Sequence, residues 1–343
     1  MYNRDKTKRG HAIALFSGGL DSTLAILLVL QQNIEVTALT FLTHFGCDLS
    51  DRSSCGSNPY PTAEKFGFNV KLMHLGRKFV DIVVNPRFGR GRHMNVCVDC
   101  RILMLREARE FMELVNADFI VTGEVLGQRP MSQTRDKLNL VVKEAGLKGR
   151  LLRPLSARLL PPTDPELNGL VDRARLESIR GRSRKRQLEL AARFGLENYR
   201  SPASGCLLTD AAYSNRLRDL LAHSTPVSFD DLNLLRAGRH FRLDSRTKVI
   251  VGRNEADNQV LLSLKQPHHL HLEVLEGGSP VTLLVGEHTE ENIRRAAAIT
   301  ARYSSLRNRP QVTVALLRDG DGVGGELAIA PAGDNELESI RIS

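Results

Sequence analysis

The chain has 343 residues, 41% of them hydrophobic and 25% charged, an ordinary globular composition that excludes a disordered chain, a coiled coil or a collagen-like fibre. At roughly 100–200 residues per domain, two or three domains are expected. The net charge of +9 is concentrated in residues 71–200, with 26 Lys+Arg against 15 Asp+Glu, which reads either as an attractor for polyanions or as a solvated basic surface.

The chain opens with an apolar run, His11–Phe16, that predicts a buried strand, followed by a Ser17-Gly18-Gly19 turn. Leu24–Gln32 predicts a helix and Ile34–Leu42 a second strand. Strand, Gly-rich turn, helix, strand is the start of a parallel α/β sheet. The Gly-, Ser- and Pro-containing stretch 44–61 predicts a loop, Thr62–Phe66 a short helix and Asn69–Leu75 a third strand. Residues 80–92 carry no clear periodicity. Cys100–Val115 places Ile102, Leu105, Ala108 and Met112 on one helical face, and Asp118–Thr122 is a further strand. Pro154–Pro165 reads as a connector, Asp172–Phe194 as helix with the basic run Arg180–Arg186, and Ser201–Asp210 as a loop around Cys206. After about residue 230, short strands (248–252, 269–275, 281–285 and 311–317) surround one helix, Glu290–Ser304, which predicts a separate α+β domain. The Gly320–Gly325 stretch reads as a hairpin turn.

No apolar run approaches the roughly 20 residues of a membrane helix, and the polar, basic start is unlike a signal peptide. Five cysteines without an export signal point to metal or catalytic use rather than disulfides, and to a cytoplasmic location.

Ser17-Gly18-Gly19-Leu20-Asp21-Ser22 lies between a strand and a helix. Two glycines let backbone N–H groups approach an anion, and the helix start adds its dipole. Asp21 beside an anion makes sense if it holds a Mg2+ ion; a Gly-Gly turn capped by Asp21 is the structural alternative. No Walker loop and no G-x-G-x-x-G follows this strand. The S-G-G-x-D-S pattern resembles the PP-loop of the ATP pyrophosphatase superfamily, enzymes that split ATP between its α and β phosphates and adenylate a carbonyl oxygen. The expected nucleotide contacts are Ser17, Gly18, Gly19, Asp21, Ser22, Thr40, Thr122 and Gly123.

Asn95-Val96-Cys97-Val98-Asp99-Cys100 followed by a helix resembles the N-P-C-x-x-C segment of tRNA 2-thiouridylases. Ala117–Gly123 resembles their strand ending in Thr-Gly-His, Leu152–Leu155 their F-P-L segment, and Ser204-Gly205-Cys206 the loop with their second catalytic cysteine. Thr122–Gln133 and Gly181–Gln187 resemble segments of a less-studied thiouridylase-like group. Glu124 departs from the family's His, Arg153 interrupts the F-P-L match, and the family's D-Q-S-Y-F segment is missing. The resemblance implies an ATP-dependent tRNA sulfurtransferase that needs ATP, Mg2+ and a sulfur donor (sulfide or a persulfide carrier), with Asp21, Cys97 and Cys206 catalytic. Related PP-loop thiolases hold a 4Fe–4S cluster with a C-x-x-C plus C pattern, which Cys97, Cys100 and Cys206 fit. A persulfide route without a cluster and a PP-loop ligase or amidase remain open alternatives, and Cys47 and Cys55 read as small hydrophobes.

Arg180–Arg186, with Arg87, Arg90 and Arg92, could grip a tRNA backbone or form a solvated face. Thr247–Asn254 with Asn258 resembles the K-V-x-V-G-R-N-x-x-x-N core of the NFACT-type RNA-binding domain. His268-His269-x-His271 is read as structural. The expected fold is α/β, with a parallel-sheet PP-loop domain over residues 1–160, a basic helical segment and loop carrying Cys206 over 161–230, and an α+β domain over 231–343 with possible RNA binding.

Overall fold

The structure, a computed structural model, describes residues 7–46, 58–197, 199, 206–224, 226–318 and 322–343. Cys47, Cys55, Ser204, Gly205 and the tip at 319–321 lie outside the described residues. The chain divides into two compact units, Met1–Asp210 and Ala211–Ser343. No helix among the described residues is long and apolar enough to cross a membrane.

The first unit holds β1 (Gly10–Leu15), α1 (Leu20–Leu30), β2 (Ile34–Leu42), α2 (Tyr60–Phe66), β3 (Asn69–His74), α3 (Gly76–Val84), α4 (Cys97–Leu114), β4 (Phe119–Thr122), α5 (Arg135–Ala145), β5 (Leu151–Leu152), α6 (Asp164–Leu167) and α7 (Lys185–Arg193). Its five strands are parallel in the order β3-β2-β1-β4-β5. β1 and β2 are buried along almost their whole length, as expected for strands covered on both faces, and their sequences accordingly run apolar without alternation. α1 is likewise buried on nine of its eleven residues, so it has no polar face to display a helical period.

The strand order has a consequence for function. The chain builds outward from β1 to β2 and β3, then returns to lay β4 on the other side of β1. In open parallel sheets a ligand crevice forms outside the carboxyl ends of the strands where the order reverses. That switch point lies between β1 and β4, so the turn after β1 and the end of β4 are brought together. The approach is close: a Cβ built on Gly123 would fall 2.5 Å from the backbone N of Ser22 and 2.6 Å from the carbonyl carbon of Asp21.

The expectation of helix over 172–194 holds only at Lys185–Arg193. Residues 177–181 instead run as an extended segment. Glu177 N–H donates to Pro154 O at 2.9 Å, Ile179 N–H to Leu155 O at 2.8 Å and Gly181 N–H to Leu126 O at 2.8 Å. Pairing with these neighbours outweighs the helix propensity of the segment, and Leu176 and Ile179 bury into the core.

The second unit contains α8 (Ala211–His223), α9 (Phe229–Leu234), β6 (Arg239–Arg242), β7 (Lys248–Val251), α10 (Glu255–Leu264), β8 (Leu270–Val274), β9 (Thr282–Val285), α11 (Glu290–Tyr303), β10 (Val312–Arg318), β11 (Gly322–Ile329), α12 (Asp334–Ile340) and β12 (Arg341–Ile342). Its seven-stranded antiparallel sheet has the order β11-β10-β8-β9-β7-β6-β12. Alternation along β7 explains the two layers: Val249 and Val251 pack with Ala296, Ala297 and Ile299 of α11, while Ile250 packs with Leu234 and Leu261 on the other side. The single helix expected here is therefore accompanied by others. α10 escaped notice because its exposed Val260 and Leu262 blur its apolar stripe. β10 and β11 pair as the arms of a hairpin.

Gly123→Ala tests the switch-point packing. The obstructing atoms are backbone, which cannot rotate away, so a loss of about 1–3 kcal/mol is expected in urea unfolding, as for other overpacked sites.

Candidate active site

The turn after β1 has the geometry of an anion cradle. Gly18 adopts φ +71°, which any residue with a Cβ takes at a cost. Gly19 precedes α1 in extended conformation, and no side chain caps the helix. The hydroxyls of Ser22 and Thr23 donate back to Gly19 O at 2.9 and 3.0 Å, so they do not satisfy the first N–H groups of the helix, which stay available to an anion. Ser17 Oγ lies 3.2 Å from Ser22 Oγ. Helix formation starts at Leu20 rather than Leu24, which places Asp21 and Ser22 in its first turn.

Asp21 is held from two sides. Gln128 Nε2 donates to Asp21 Oδ2 at 2.8 Å, and an Arg184 nitrogen lies 3.8 Å from the same oxygen. Asp21 Oδ1 and Gln128 Oε1 are buried without a hydrogen-bond partner. Buried polar atoms are nearly always paired, so these mark surfaces that face a ligand. A Mg2+ ion is commonly bound through one or two carboxylates together with phosphate oxygens, and the spare Asp21 oxygen fits that role. Gln187, one turn beyond Arg184 on α7, is fully buried with both amide atoms unpaired. In the sequence Arg184 and Gln187 belong only to the Gly181–Gln187 segment, and the packing of α7 on α1 is what brings Arg184 to Asp21. Thr40 and Thr122 spend their hydroxyls within the protein, Thr40 on Phe16 O at 3.1 Å and Thr122 on Glu124 Oε2 at 3.1 Å.

Glu124 follows Gly123 directly and is buried with Arg153, their side chains 5% and 6% exposed. Arg153 Nε donates to Glu124 Oε2 at 2.9 Å, and Arg101 Nε lies 3.2 Å from Glu124 Oε1. Burial alone would raise the Glu124 carboxyl; the positive charges of Arg153 and Arg101, with hydrogen bonds from Arg153 and Thr122, hold it below its ordinary range. Arg101 belongs to α4, one residue after Cys100. The ion pair therefore ties the cysteine helix to the residue that adjoins the phosphate loop.

Cys97 and Cys100 occupy the first turn of α4, three residues apart on one side. Asn95 Nδ2 donates to Cys97 Sγ at 3.3 Å. Between the two cysteines, buried Asp99 accepts from the N–H groups of Arg87 and Phe88 at 3.0 and 3.1 Å, fastening the loop before the helix. Cys206 begins a short turn whose backbone is bound on both sides: Leu207 N–H donates to Phe45 O at 3.0 Å and Met94 N–H to Leu208 O at 3.0 Å. The Cys206 segment thus runs beside the segment leading into Cys97. Cys97, Cys100 and Cys206 are not disulfide-bonded. Among the described residues no three His, Cys, Asp or Glu side chains converge on a metal position. Cys97 and Cys100 share one turn of α4, and Cys206 is not brought with them to a common metal position among the described residues.

The basic residues separate by role. Arg87 is paired with Glu144 at 2.6 Å and Arg186 with Glu177 at 2.8 Å, while Arg90 bonds Val83 O and Val84 O at the end of α3, each at 2.9 Å. His269 is buried, and its ring is pushed down to about 4, chiefly by burial; His271 bonds Glu273 at 2.9 Å.

Glu124→Gln leaves Arg153 and Arg101 without a counter-charge and is expected to cost about 3–5 kcal/mol, as for other broken buried pairs. Because the folded carboxyl titrates below the ordinary glutamate value of 4.5, its stabilising contribution is complete above that value. It is lost as the pH falls through the lower folded value. Urea unfolding across pH 3–7 checks this: the gap between parent and variant stays constant above about pH 5 and closes below it.

Residues 7–158 match the family model for thiamine biosynthesis protein (ThiI), and residues 238–341 match that for the NFACT protein RNA binding domain. A probable tRNA sulfurtransferase of Thermococcus kodakarensis is 28% identical over 156 residues, covering 43% of this chain and 37% of that protein. The tRNA-specific 2-thiouridylase MnmA of Cytophaga hutchinsonii is 27% identical over 157 residues, covering 41% of this chain and 40% of that protein. The chain thus spans well under half the length of these curated relatives. Among solved structures, a 4-thiouridine synthetase–RNA complex with bound ATP covers 59% of this chain and 46% of that chain, at 19% identity and a TM-score of 0.37; a likeness that low adds nothing to the domain matches. The ThiI match thus falls within the first compact unit and the NFACT match within the second.

Proposed function

We propose that the chain is an ATP-dependent tRNA sulfurtransferase that adenylates a uridine carbonyl and replaces its oxygen with sulfur. The observation that carries this reading is the link from the open phosphate loop at Asp21–Ser22, through Gly123 and Glu124, to Arg101 beside the Cys97–Cys100 turn. It couples an ATP-binding turn to thiols, which an ATP-dependent ligase does not require. The probable tRNA sulfurtransferases among the relatives support the same class with tRNA as partner, and the NFACT match supports RNA binding. A reducing, cytoplasmic location goes with three cysteines that are not disulfide-bonded.

In this reading the phosphates of ATP lie on the N–H groups of Gly19 and the first turn of α1. The carbonyl oxygen of the uridine attacks the α-phosphorus and pyrophosphate leaves, converting a poor leaving group into AMP. Asp21 Oδ1 would hold Mg2+, which supplies charge neutralisation for the phosphates; Gln128 and Arg184 fix the orientation of that carboxylate. A persulfide on one cysteine of the Cys97–Cys206 pair then attacks the adenylated carbon through its outer sulfur, and AMP leaves. The other cysteine attacks the inner sulfur, forming a disulfide and leaving the thiocarbonyl on the nucleoside. A sulfane-sulfur donor reloads the site after a dithiol reductant has opened the disulfide. The hydrogen bond from Asn95 to Cys97 Sγ supports Cys97 as the attacking thiolate.

A 4Fe–4S cluster on Cys97, Cys100 and Cys206 is the second reading, suggested by the placement of the first two cysteines on one turn. Iron and acid-labile sulfide on anaerobically purified protein separate the two. About three to four irons per chain, lost in variants of these cysteines, would establish the cluster; iron absent after reconstitution leaves the persulfide route.

Cys97→Ser and Cys206→Ser are expected to abolish tRNA thiolation while tRNA-dependent pyrophosphate release persists. Asp21→Asn is expected to lower pyrophosphate release by at least about a hundredfold, the usual scale for losing a group that stabilises transferred phosphates. Cysteine variants that retain thiolation would remove these thiols from the mechanism, and pyrophosphate release with no thiolated nucleoside even in the parent protein would move the chain to the ligase class.

A further inference from the structure

The second unit carries a cavity of about 470 Å3 that the proposed sulfur chemistry leaves unused. One wall is the motif resembling the NFACT core, and its residues turn out to build the wall rather than merely border it. A Cβ on Gly252 would fall 2.0 Å from Asn258 Oδ1, and that oxygen accepts Val281 N–H at 3.0 Å. Asn254 caps α10 by accepting Asp257 N–H at 2.9 Å. Arg253 is locked by two bonds to Asp257, at 2.5 and 3.1 Å.

The cavity is also lined by Arg239, Tyr303 and Arg307, and Arg239 Nη1 donates to Gly252 O of the motif at 3.4 Å. The Arg239 guanidinium lies over the Tyr303 ring, 4.7 Å from its centroid. This is a flat cationic and aromatic pair at the edge of a cavity. Arg307 lines the cavity, is exposed, and has no hydrogen bond or ion pair among the described residues. Arg302 is already compensated by Asp334 at 2.6 Å. The cavity thus offers a stacking surface and an uncompensated positive charge within one pocket of the size small ligands occupy. A nucleotide has the two complementary parts, a flat base and an anionic phosphate.

We propose that this cavity holds one unpaired nucleotide of RNA, its base stacked on the Arg239–Tyr303 pair and its phosphate on Arg307. The proposal rests on the reading of residues 238–341 as RNA-binding and adds the site and the form of RNA it takes. A base must leave its duplex to stack, so unpaired RNA binds in preference to a duplex. Stacking is tolerant of base identity because every base has a π-face, so sequence preference is slight.

The test uses the full chain without ATP and a labelled unpaired six-nucleotide uridine RNA, read by fluorescence anisotropy. Arg239→Ala and Tyr303→Leu are each expected to weaken binding about tenfold, within the range for losing one stacked base. Arg307→Glu, a change at an exposed position, is expected to weaken binding and to lower the slope of log affinity against log salt by about 0.7. Variants that bind the hexamer as tightly as the parent, with unchanged unfolding midpoints, would overturn the proposal. So would unchanged hexamer binding with lost binding of free UMP, which would assign the cavity to a free nucleotide. No sulfur chemistry enters this assay. A failure here leaves the sulfurtransferase reading standing, and thiolation lost in the cysteine variants with hexamer binding intact leaves this site standing.

Discussion

The amino-terminal unit depends on there being no side chain at residue 123. β4 returns to the first strand at the switch point of the sheet, and its last turn of chain passes against the backbone of Asp21 and Ser22. Only glycine allows that passage. The close approach aligns the end of β4 with the start of α1, and through it Gln128 comes within hydrogen-bond reach of Asp21. A looser junction would leave the phosphate loop intact but detached from the groups that orient Asp21.

The second dependency is electrostatic. Two positions where the chain departs from the thiouridylase pattern, Glu124 and Arg153, are bonded to one another in the core. Either alone would bury an unpaired charge, at a cost of several kcal/mol. Together, and with Arg101, they form a compensated group that also joins α4 to β4. The two residues therefore act as one group, which places a carboxylate held ionised by charge directly after Gly123.

Much of the parallel sheet was legible because its strands are buried on both faces and show as continuous apolar runs. β2 matches its expected bounds, β1 is shifted by one residue, and β3 and β4 differ by one residue at an end. The phosphate loop was legible because a Gly-Gly turn between strand and helix has few other uses. Helix starts were less legible: the polar residues Asp21, Ser22 and Thr23 look like cap residues, yet two of them bond back to Gly19 and lie inside the helix. The segment 177–181 could not be read locally, since its extended form comes from pairing with Pro154, Leu155 and Leu126. Gln128, Arg184 and Gln187 lie in the segments Thr122–Gln133 and Gly181–Gln187, but they became site residues only through tertiary contacts. The cavity of the second unit was half legible, in the motif that forms its wall; Tyr303 and Arg307 lie some fifty residues on along the chain and join it only through the packing of α11.

The central claim is that ATP cleavage at the phosphate loop delivers sulfur to a uridine. The most direct measurement is nucleoside mass spectrometry of unmodified tRNA incubated with the protein, ATP, Mg2+, a sulfane-sulfur donor and a dithiol. A uridine carrying sulfur in place of one carbonyl oxygen, formed only with ATP and absent with Cys97→Ser or Cys206→Ser, is the predicted result. Pyrophosphate release with no sulfur-containing nucleoside, unaffected by either cysteine variant, would contradict the account.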